Sequence, residues 1–354
     1  MHSIHIIGSQ TSGGAERFYS RLVCALHEAG ESVLAVNQMG SAVSQQIGVR
    51  ARQSHVRMRG VWDRLARWQM GTLVKHEQPD IVQTYMGRAT RIFRKPRNGA
   101  FTHVARLGGF YNLSGYQHAD AWIGNTRGIC DHLVQGGMPS PKVFHLGNFV
   151  DIPAPGTFAS ADQLRAQLGL HTESLVILFV GRLSANKGIP HLIQAMTKVP
   201  NEIGGRRTQL VVVGDGPDRA TIEHQCQSLG LNERVSLCGW VADPSPYYAS
   251  ADLFVCPSTH EPLGNVVLEA WAYELAVVST NSQGPSEYMT DGTNGWMVPV
   301  GEPSALASAI TDALKADVTT RTALGRAGRE EVERNHSRQG VLAGYMQVYE
   351  SLCA

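Results

Sequence analysis

The sequence has few of the features that mark a secreted or membrane-spanning protein. No stretch approaches the roughly 18 apolar residues of a transmembrane helix. The segment Met1–Gly8 lacks the basic and long apolar parts of a signal peptide. The six cysteines show no paired spacing of the zinc or redox type, and lie at Cys24, Cys130, Cys226, Cys238, Cys256 and Cys353. We therefore expect buried thiols in a cytoplasmic protein, with contact at the inner face of the cell membrane left open.

Charge is also scarce, since only 17% of the 354 residues are Asp, Glu, Lys or Arg and the formal net charge is +1. This balance argues against a dedicated nucleic-acid-binding protein. The average conceals an asymmetry. Residues 1–150 carry 17 Lys and Arg against 8 Asp and Glu, or +9, whereas residues 151–354 carry 14 against 22, or −8. The two halves are therefore expected to meet different partners.

Short runs of β-branched residues alternate with longer helical patterns, which predicts parallel sheets covered by helices on both faces. We expect two doubly wound domains facing each other across a cleft, with a linker over 148–172 and a last helix from about His336 to Ala354. The predicted domains are 1–155, with helix 338–354 crossing back to it, and 156–337. The predicted strands are Ile4–Ile7, Val33–Val36, Ile81–Gln83, His103–Leu107, Ala121–Ile123, Val176–Val180, Gln209–Val213, Val235–Leu237, Leu253–Cys256 and Val277–Ser279.

A glycine-rich turn with Gly13 and Gly14 follows the first predicted strand and opens a helix. The backbone N–H groups and dipole of such a helix start suit an anion. A tight turn without a ligand is the simpler alternative. The turn is not a P-loop, because no Gly-Lys-Ser/Thr follows. A dehydrogenase is disfavoured, because the second strand ends Val36-Asn37-Gln38 without the carboxylate that holds a ribose.

Two cations, Arg182 and Lys187, follow the strand Val176–Val180 on a loop expected at the carboxyl edge of the second sheet. A guanidinium and an ammonium group together neutralise a diphosphate, although two solvated surface charges would show the same pattern.

Glu261 and Glu269 follow the strand Leu253–Cys256, with a helix starting near Gly264 between them. At about 1.5 Å per helical residue they lie on the order of 10 Å apart, a separation that suits two ends of a nucleotide sugar. Glu269 lies on an otherwise apolar helix, so its carboxylate needs a partner. The N–H groups at the helix start belong to Leu263, Gly264 and Asn265.

Taken together, these motifs resemble a retaining glycosyltransferase of family 4 with the two-domain GT-B fold, over nearly the whole chain. The segments that carry the resemblance are Gly13–Arg17, Gly181-Arg182 with Lys187-Gly188, Val213-Gly214-Asp215-Gly216-Pro217, Gly239-Trp240-Val241, and Glu261 with Glu269 as a Glu-x7-Glu motif.

The resemblance implies a nucleotide-sugar donor, with UDP favoured, in the second domain and a glycan or lipid-linked acceptor of envelope polysaccharide synthesis in the first. Gly13 and Gly14 would meet the donor phosphates or the acceptor, and the main chain near Trp240 and Val241 would bind the base. Arg182 and Lys187 would stabilise the leaving diphosphate, Glu261 would orient the donor sugar, and Glu269 would bind the ribose. No cofactor is implied.

One departure from the family pattern concerns the histidine that many members carry near the anomeric carbon. This sequence has Gly108 at that place. Arg106, Gly108 and Gly109 are therefore predicted to line an acceptor pocket of a different kind. His118, a little downstream, is a weaker candidate for a catalytic group.

The mechanism expected from the sequence is transfer with retention and without a metal. No pair of carboxylates is placed to flank a bond, and no Asp-x-Asp motif occurs. The departing diphosphate would help to deprotonate the attacking hydroxyl on the same face. A sugar-nucleotide 2-epimerase and a non-catalytic nucleotide-sugar-binding protein of the same fold remain alternatives.

Two basic stretches, Arg50–Arg67 and Arg88–Arg97, account for most of the positive charge of the first half. Apolar side chains, including Trp62 and Trp68, occur among the arginines of the first stretch. Two interpretations carry equal weight: a surface for anionic lipid or a phosphorylated acceptor, and a core-facing helix with a solvated basic face. No recognition motif accompanies the charge, so nucleic acid is not an expected partner.

Overall fold

In a computed structural model of the protein, the described residues are 1–10, 13–96, 98–154, 161–167, 170 and 173–354. They form two compact units, Met1–Phe149 with Arg338–Ala354, and Val150–Ser337. Part of the glycine-rich turn (11–12), Arg97 of the second basic stretch, and 155–160, 168–169 and 171–172 of the expected linker lie outside the described residues.

The first unit is an α/β structure on one parallel sheet. Its strands are β1 (His2–Ile7), β2 (Ser32–Asn37), β3 (Arg52–His55), β4 (Ile81–Tyr85), β5 (Thr102–Leu107), β6 (Ala121–Gly124) and β7 (Val143–His145). Their order across the sheet is β3-β2-β1-β4-β5-β6-β7. The helices that connect them are α1 (Gly14–Glu28), α2 (Ala42–Ile47), α3 (Arg64–Glu77), α4 (Met86–Ile92) and α5 (Arg127–Gln135).

The second unit repeats this plan with one short antiparallel addition. Its strands are β8 (Leu175–Val180), β9 (Glu202–Ile203), β10 (Arg206–Val213), β11 (Val235–Gly239), β12 (Leu253–Cys256), β13 (Val277–Thr280) and β14 (Trp296–Val298). The parallel strands lie in the order β11-β10-β8-β12-β13-β14, and β9 pairs antiparallel with β10. The helices are α6 (Ala161–Gln167), α7 (Ile189–Met196), α8 (Arg219–Ser228), α9 (Ser245–Ser250), α10 (Asn265–Ala272), α11 (Pro285–Tyr288), α12 (Pro303–Lys315), α13 (Val318–Asn335) and, returning to the first unit, α14 (Arg338–Cys353).

Both sheets reverse their strand order at one point, between β1 and β4 in the first unit and between β8 and β12 in the second. Ligands of open α/β sheets bind at such a point, beyond the carboxyl ends of the strands. The predicted fold class of two Rossmann-like parallel-sheet domains is confirmed.

Alternate residues of the central strands supply the two faces of each core. In β8, Ile177 and Phe179 belong to one buried cluster, whereas Val176, Leu178 and Val180 belong to the other. All six residues of β8 are buried, which explains its continuous apolar run, since helices cover both faces.

Helix α14 packs on the first unit through Val341, Tyr345 and Tyr349, which are buried on one face. The Tyr349 hydroxyl donates to Gln83 Oε1 of β4 over 2.7 Å. Arg106 of β5 donates through Nε to the Tyr345 hydroxyl over 2.7 Å. The last helix of the chain is thus tied to the first sheet by both apolar and polar contacts.

Two expectations need correction. The segment expected as a linker contains α6, whose Arg165 donates to the Ser250 carbonyl and forms an ion pair with Asp252 at 2.9 Å. That arginine fixes α6 to the second unit. All six cysteines lie in the described part of the chain and none forms a disulfide, but Cys130 and Cys238 are only partly buried and Cys353, at the end of α14, is exposed. Across the described ranges, no helix combines the length and apolar character needed to cross a membrane.

Candidate active site

The loops that follow β8 and β12 are joined by backbone hydrogen bonds at the point where the second sheet reverses its order. The N–H groups of Thr259 and His260 donate to the carbonyl of Asn186, over 2.9 and 3.2 Å. Lys187 is the next residue on the first loop, and Glu261 is the next on the second. The pairing of the loops therefore places these two predicted site residues side by side.

Gly188 makes this close approach sterically feasible. Its φ is +65°, in the left-handed region that glycine adopts without penalty. A Cβ atom at this position would lie 1.9 Å from the carbonyl oxygen of Pro257. Any other residue would push the two loops apart.

Lys187 forms an ion pair with Glu261, whose carboxylate also accepts from the Ser258 hydroxyl over 3.2 Å. Burial opposes the charge of the lysine, but the attraction of Glu261 and their hydrogen bond outweigh it. The pKa of Lys187 is therefore raised above its ordinary value. The ammonium group is held charged, 22% exposed, at the carboxyl edge of the sheet.

The turn after β13 holds the Glu261 loop in place through hydrogen bonds. Gln283 Oε1 accepts from the N–H of Glu261 over 3.2 Å, and its amide nitrogen lies 2.9 Å from His260 Nδ1. The N–H of Gly284 donates to the Glu261 carbonyl over 2.8 Å. Gln283 was not among the site residues predicted from the sequence. The signal that could have found it is a polar residue three positions after the end of β13, at an edge where loops of this fold meet ligands.

Helix α10 begins beside this network, as the sequence predicted. Gly264 caps it with φ +88°, a conformation that favours glycine. The Tyr288 hydroxyl lies within hydrogen-bond distance of the carbonyls of Leu263 and Gly264, at 2.6 and 3.2 Å. Leu263 and Gly264 are buried and Asn265 is partly exposed. The first N–H groups of the helix thus have a fixed position at the end of β12.

Glu269 lies one turn further along α10 and is partly exposed. Its Oε2 accepts from the hydroxyl of Tyr248, on α9, over 3.1 Å. This partner agrees with the expectation that a carboxylate on an apolar helix needs one. Tyr248 was not among the predicted residues, and nothing in its sequence context distinguishes it from a core tyrosine.

Arg182 and the segment after β11 are more exposed than the network around Glu261. The Arg182 side chain is exposed and makes no hydrogen bond or ion pair with any described residue. Trp240 is 63% exposed, whereas Val241 is partly buried against the core. The structure therefore brings Lys187, Glu261 and the start of α10 together, and leaves Arg182 and Trp240 as exposed side chains on neighbouring loops.

In the first unit, the predicted glycines lie at the carboxyl ends of strands. Gly13 caps α1 in an extended conformation and Gly14 is its first residue. Gly108 and Gly109 follow β5 directly, and a Cβ atom on Gly108 would lie 3.6 Å from the Asn125 amide nitrogen. The Oδ1 atom of Asn125 is buried and has no hydrogen-bond partner among the residues that the structure describes. These residues share the edge at which the fold predicts a ligand.

Arg106 has a different position from the one expected of an acceptor ligand. It is 2% exposed, and its guanidinium group stacks 4.1 Å from the Phe18 ring and donates to Asn148 Oδ1 over 2.5 Å. With Tyr345 as a further acceptor, the group makes its hydrogen bonds within its own unit. We therefore correct its expected role from acceptor binding to holding α14 on the sheet.

His118 lies at the opposite edge of the first sheet from the glycines, because it precedes β6 rather than following a strand. Its Nε2 accepts from Arg94 over 2.8 Å. Burial and the charge of Arg94 lower the pKa of His118. Its place, away from the carboxyl edge, does not suit a catalytic base there. Across the described ranges, no group of three His, Cys, Asp or Glu side chains is arranged to hold a metal ion.

Comparison of the sequence with known proteins finds glycosyltransferases. Residues 160–331 match the family described as glycosyl transferases group 1. The chain is 33% identical over 342 residues to the lipopolysaccharide core biosynthesis glycosyltransferase LpsE of Rhizobium meliloti (strain 1021), covering 96% of both chains. It is 30% identical over 346 residues to LpsD of the same organism, again covering 96% of both.

Solved structures share the fold at low identity. The crystal structure of HepE from Anabaena in complex with UDP and glucose has a TM-score of 0.85 and 20% identity, covering 99% of this chain and 100% of that one. The sucrose-phosphate synthase of Thermosynechococcus elongatus has a TM-score of 0.79 and 21% identity, covering 99% of each chain. These likenesses support the GT-B fold class, and the sequence relationships show that the chain belongs to the group 1 family of glycosyl transferases.

Proposed function

We propose that the protein is a retaining, metal-independent hexosyltransferase of family 4 that takes its sugar from a UDP-sugar. The observation that carries the proposal is the ion pair of Lys187 and Glu261 beside the start of α10, at the order reversal of the second sheet. The Glu261–Glu269 pair of the Glu-x7-Glu motif spans that helix start. HepE, of similar fold, binds UDP and glucose in its crystal structure, which supports the choice of donor.

The donor would lie along α10 with its diphosphate at the helix start. The backbone N–H groups near Leu263, Gly264 and Asn265 and the helix dipole favour a negative charge there. Lys187 supplies a full positive charge, and the exposed Arg182 supplies a second, without a protein partner to displace. Glu269 would accept from the ribose hydroxyls, with Trp240 and Val241 near the base.

Glu261 would change partners when the donor binds. In this structure it neutralises Lys187, so an incoming diphosphate competes with it for the ammonium group. The released carboxylate would then accept from hydroxyls of the donor sugar. Ser258 and Gln283 hold the loop while this exchange occurs.

In the reaction, the bond between the anomeric carbon and the diphosphate oxygen breaks and the acceptor oxygen bonds to the same face of that carbon. The proton of the acceptor hydroxyl passes to the departing phosphate oxygen. Negative charge grows on the diphosphate as it leaves, and Lys187, Arg182 and the α10 N–H groups stabilise it. No protein nucleophile and no cofactor enter this scheme.

The acceptor would be a glycan or a lipid-linked saccharide of lipopolysaccharide or polysaccharide synthesis, because the names of LpsE and LpsD place them in lipopolysaccharide core synthesis. It would bind the first unit near Gly13, Gly14, Gly108 and Gly109. We propose a cytoplasmic enzyme that works at the inner face of the membrane and binds no nucleic acid.

Thermal unfolding of the full chain with UDP-glucose, UDP-galactose, UDP-N-acetylglucosamine and GDP-mannose tests the donor, since a specific ligand stabilises by mass action. We expect one UDP-sugar to raise the Tm most. Proton NMR of the product formed with that donor and deacylated lipopolysaccharide core should show the α-anomer. No stabilisation by any donor, a β-product, or release of a 2-epimer or free sugar alone would contradict the proposal.

A further inference from the structure

Three large apolar side chains are exposed to solvent in residues 57–68 of the first unit. This segment covers the loop before α3 and the first residues of that helix. Trp62 is 87% exposed, Leu65 is 60% exposed and Trp68 is 66% exposed. We call the surface they form with the surrounding arginines the 57–68 face. Large apolar side chains that are exposed together in this way usually mark a site of interaction with another molecule.

The core of the first unit does not account for these side chains. Helix α3 buries its opposite face through Ala66, Met70 and Val74, and these residues belong to the cluster under the sheet. Leu65 and Trp68 are three residues apart and therefore lie on one side of the helix. Helix α3 therefore has two apolar faces, one buried in the first unit and one exposed to solvent.

The arginines of the same face outnumber its acidic residues. Residues 57–68 contain four arginines and one aspartate, a net charge of +3. Among the described residues, Arg57, Arg59 and Arg64 form no ion pair. By contrast, Arg50 and Arg52, a short distance upstream in the chain, are paired with Glu28 and Glu77, at 2.8 and 2.6 Å.

The one carboxylate of the face is already engaged with the backbone. Asp63 caps α3 by accepting from the N–H of Ala66 over 3.0 Å, and it also accepts from the N–H of Arg59 over 3.0 Å. These bonds lower the pKa of Asp63, so it stays charged as a helix cap. Its charge offsets only part of that of the surrounding arginines.

The positive charge extends beyond the helix to Arg94. Arg67 donates to the carbonyl of Ile92, which places α3 against the segment that carries Arg94. Burial and the charge of Arg67 both lower the pKa of Arg94. The Arg94 Nη1 atom donates to the carbonyls of Thr90 and Phe93, and among the described residues no carboxylate forms an ion pair with it.

We propose that the 57–68 face docks on a lipid surface rich in anionic headgroups. Tryptophan combines an apolar ring with a polar N–H, and it partitions into the boundary between headgroups and acyl chains. The guanidinium groups of the surrounding arginines bind the headgroup phosphates through paired hydrogen bonds. Charge complementarity selects anionic over zwitterionic lipid, and the three apolar side chains anchor the unit at the depth of the interface.

Sedimentation of the full chain with vesicles of phosphatidylglycerol, compared with vesicles of phosphatidylcholine, tests this proposal. We expect binding to the anionic vesicles at low salt, and weaker binding as salt screens the charges. Each arginine removed should weaken binding about five-fold, so that Arg57→Gln with Arg59→Gln should weaken it about 25-fold. Trp62→Ala with Trp68→Ala should weaken it by about ten-fold or more and abolish the blue shift of tryptophan emission on binding.

Matched variants outside the face separate docking from general charge. Arg50→Gln with Arg326→Gln removes the same charge from two exposed, ion-paired arginines, and Val318→Ala trims an exposed apolar side chain of the second unit. Neither should change vesicle binding. All variants should keep the Tm increase that the UDP-sugar produces, so failure of docking is distinguishable from failure of the donor assignment.

Three outcomes would overturn the proposal. The first is no binding to anionic vesicles at low salt. The second is binding that neither the arginine nor the tryptophan pair affects. The third is equal loss of binding in the matched control, which would indicate a diffuse charge effect. Competition by the soluble, deacylated lipopolysaccharide core at the 57–68 face, without vesicle binding, would assign the face to a phosphorylated acceptor instead.

Discussion

The ammonium group of Lys187 and the carboxylate of Glu261, 74 residues apart in the chain, form an ion pair at the carboxyl edge of the second sheet. The pair holds the charged ammonium group of Lys187 beside the start of α10. It also keeps both groups in one position, because each loop is held by the other through Asn186. An anionic ligand would therefore meet a site that is already assembled.

Lys187→Ala and Arg182→Ala should each lower kcat at saturating donor by roughly 10²–10³-fold, the usual loss when one stabiliser of developing charge is removed. Steady-state kinetics with the UDP-sugar identified by thermal unfolding measure this loss. Lys198→Ala, which removes a lysine that donates to Ser304, is the matched control and should keep full activity. Unchanged turnover in both site variants would exclude them from stabilising the leaving group.

Glu269→Gln should weaken UDP binding by about ten-fold or more, because a hydrogen bond to a charged group contributes about 1.5–3 kcal/mol. Tyr248→Phe, which removes the hydroxyl that donates to Glu269, should weaken it less. Calorimetric titration with UDP measures both. Glu223→Gln, at an exposed carboxylate that pairs with Arg219, serves as the control. A Glu269→Gln protein with normal UDP affinity would place the carboxylate outside the donor site.

Gly188→Ala should destabilise the second unit and abolish activity, because its Cβ atom would lie 1.9 Å from the Pro257 carbonyl oxygen. The control is Gly204→Ala, at another glycine of positive φ, +59°, which has no atom within 4 Å of its Cβ position. The strain of the backbone itself is similar at both sites, about 1–2 kcal/mol. Urea unfolding of both variants isolates the steric part. Equal destabilisation would show that the two loops are free to separate.

Arg106→Leu should lower the free energy of unfolding by about 2–5 kcal/mol, because the Tyr345 hydroxyl and Asn148 would lose their buried donor. Arg50→Leu, at an exposed arginine, should stay within about 0.5 kcal/mol of the wild type. Urea unfolding followed by circular dichroism measures both. If Arg106→Leu keeps its stability but loses affinity for the acceptor, our correction of its role is wrong.

Stability should fall as the pH is lowered below 6.5, because two buried histidines stay neutral in the folded protein. Burial lowers the pKa of His5 and of His103 from 6.5 to about 3. The unfolded chain therefore binds more protons between these values, and each histidine contributes a slope of about 1.4 kcal/mol per pH unit. Urea unfolding from pH 7 to pH 4 measures the slope.

His103→Gln should reduce that slope by the share of one histidine, since the replacement does not titrate. An unaltered slope in His103→Gln would show that this ring is not held neutral by burial.

The central strands were predictable because each is a continuous apolar run, as the predicted Val176–Val180 and observed Leu175–Val180 illustrate. The edge strand β3 was not, since its sequence, Arg-Gln-Ser-His, has no apolar pattern and pairs only with β2. Helix α6 was missed for a related reason: Pro and Gly residues just before it suggested a linker, whereas Arg165 fixes it through contacts distant in sequence.

The candidate site divides in the same way. Lys187, Glu261 and Glu269 were found because each follows or lies near the end of a predicted strand, where the chemistry of this fold is expected. Tyr248 acts through a hydrogen bond to Glu269, 21 residues away, which no local pattern reveals, whereas Gln283 was overlooked although it closely follows a predicted strand. Arg106 was assigned to the acceptor because it lies two residues before Gly108, at the place of the family histidine, and only its buried neighbours show another role.

The sequence by itself determined the alternation of strands and helices, the family to which the chain belongs and the order of its motifs, because local periodicity and spacing carry that information. Only the tertiary structure decided which charges meet. It paired Lys187 with Glu261, bonded Arg106 to α14, and left the arginines of the 57–68 face without ion pairs among the described residues. The physical reason is that charge pairing depends on distance in space, and the fold brings together groups that lie far apart in the chain.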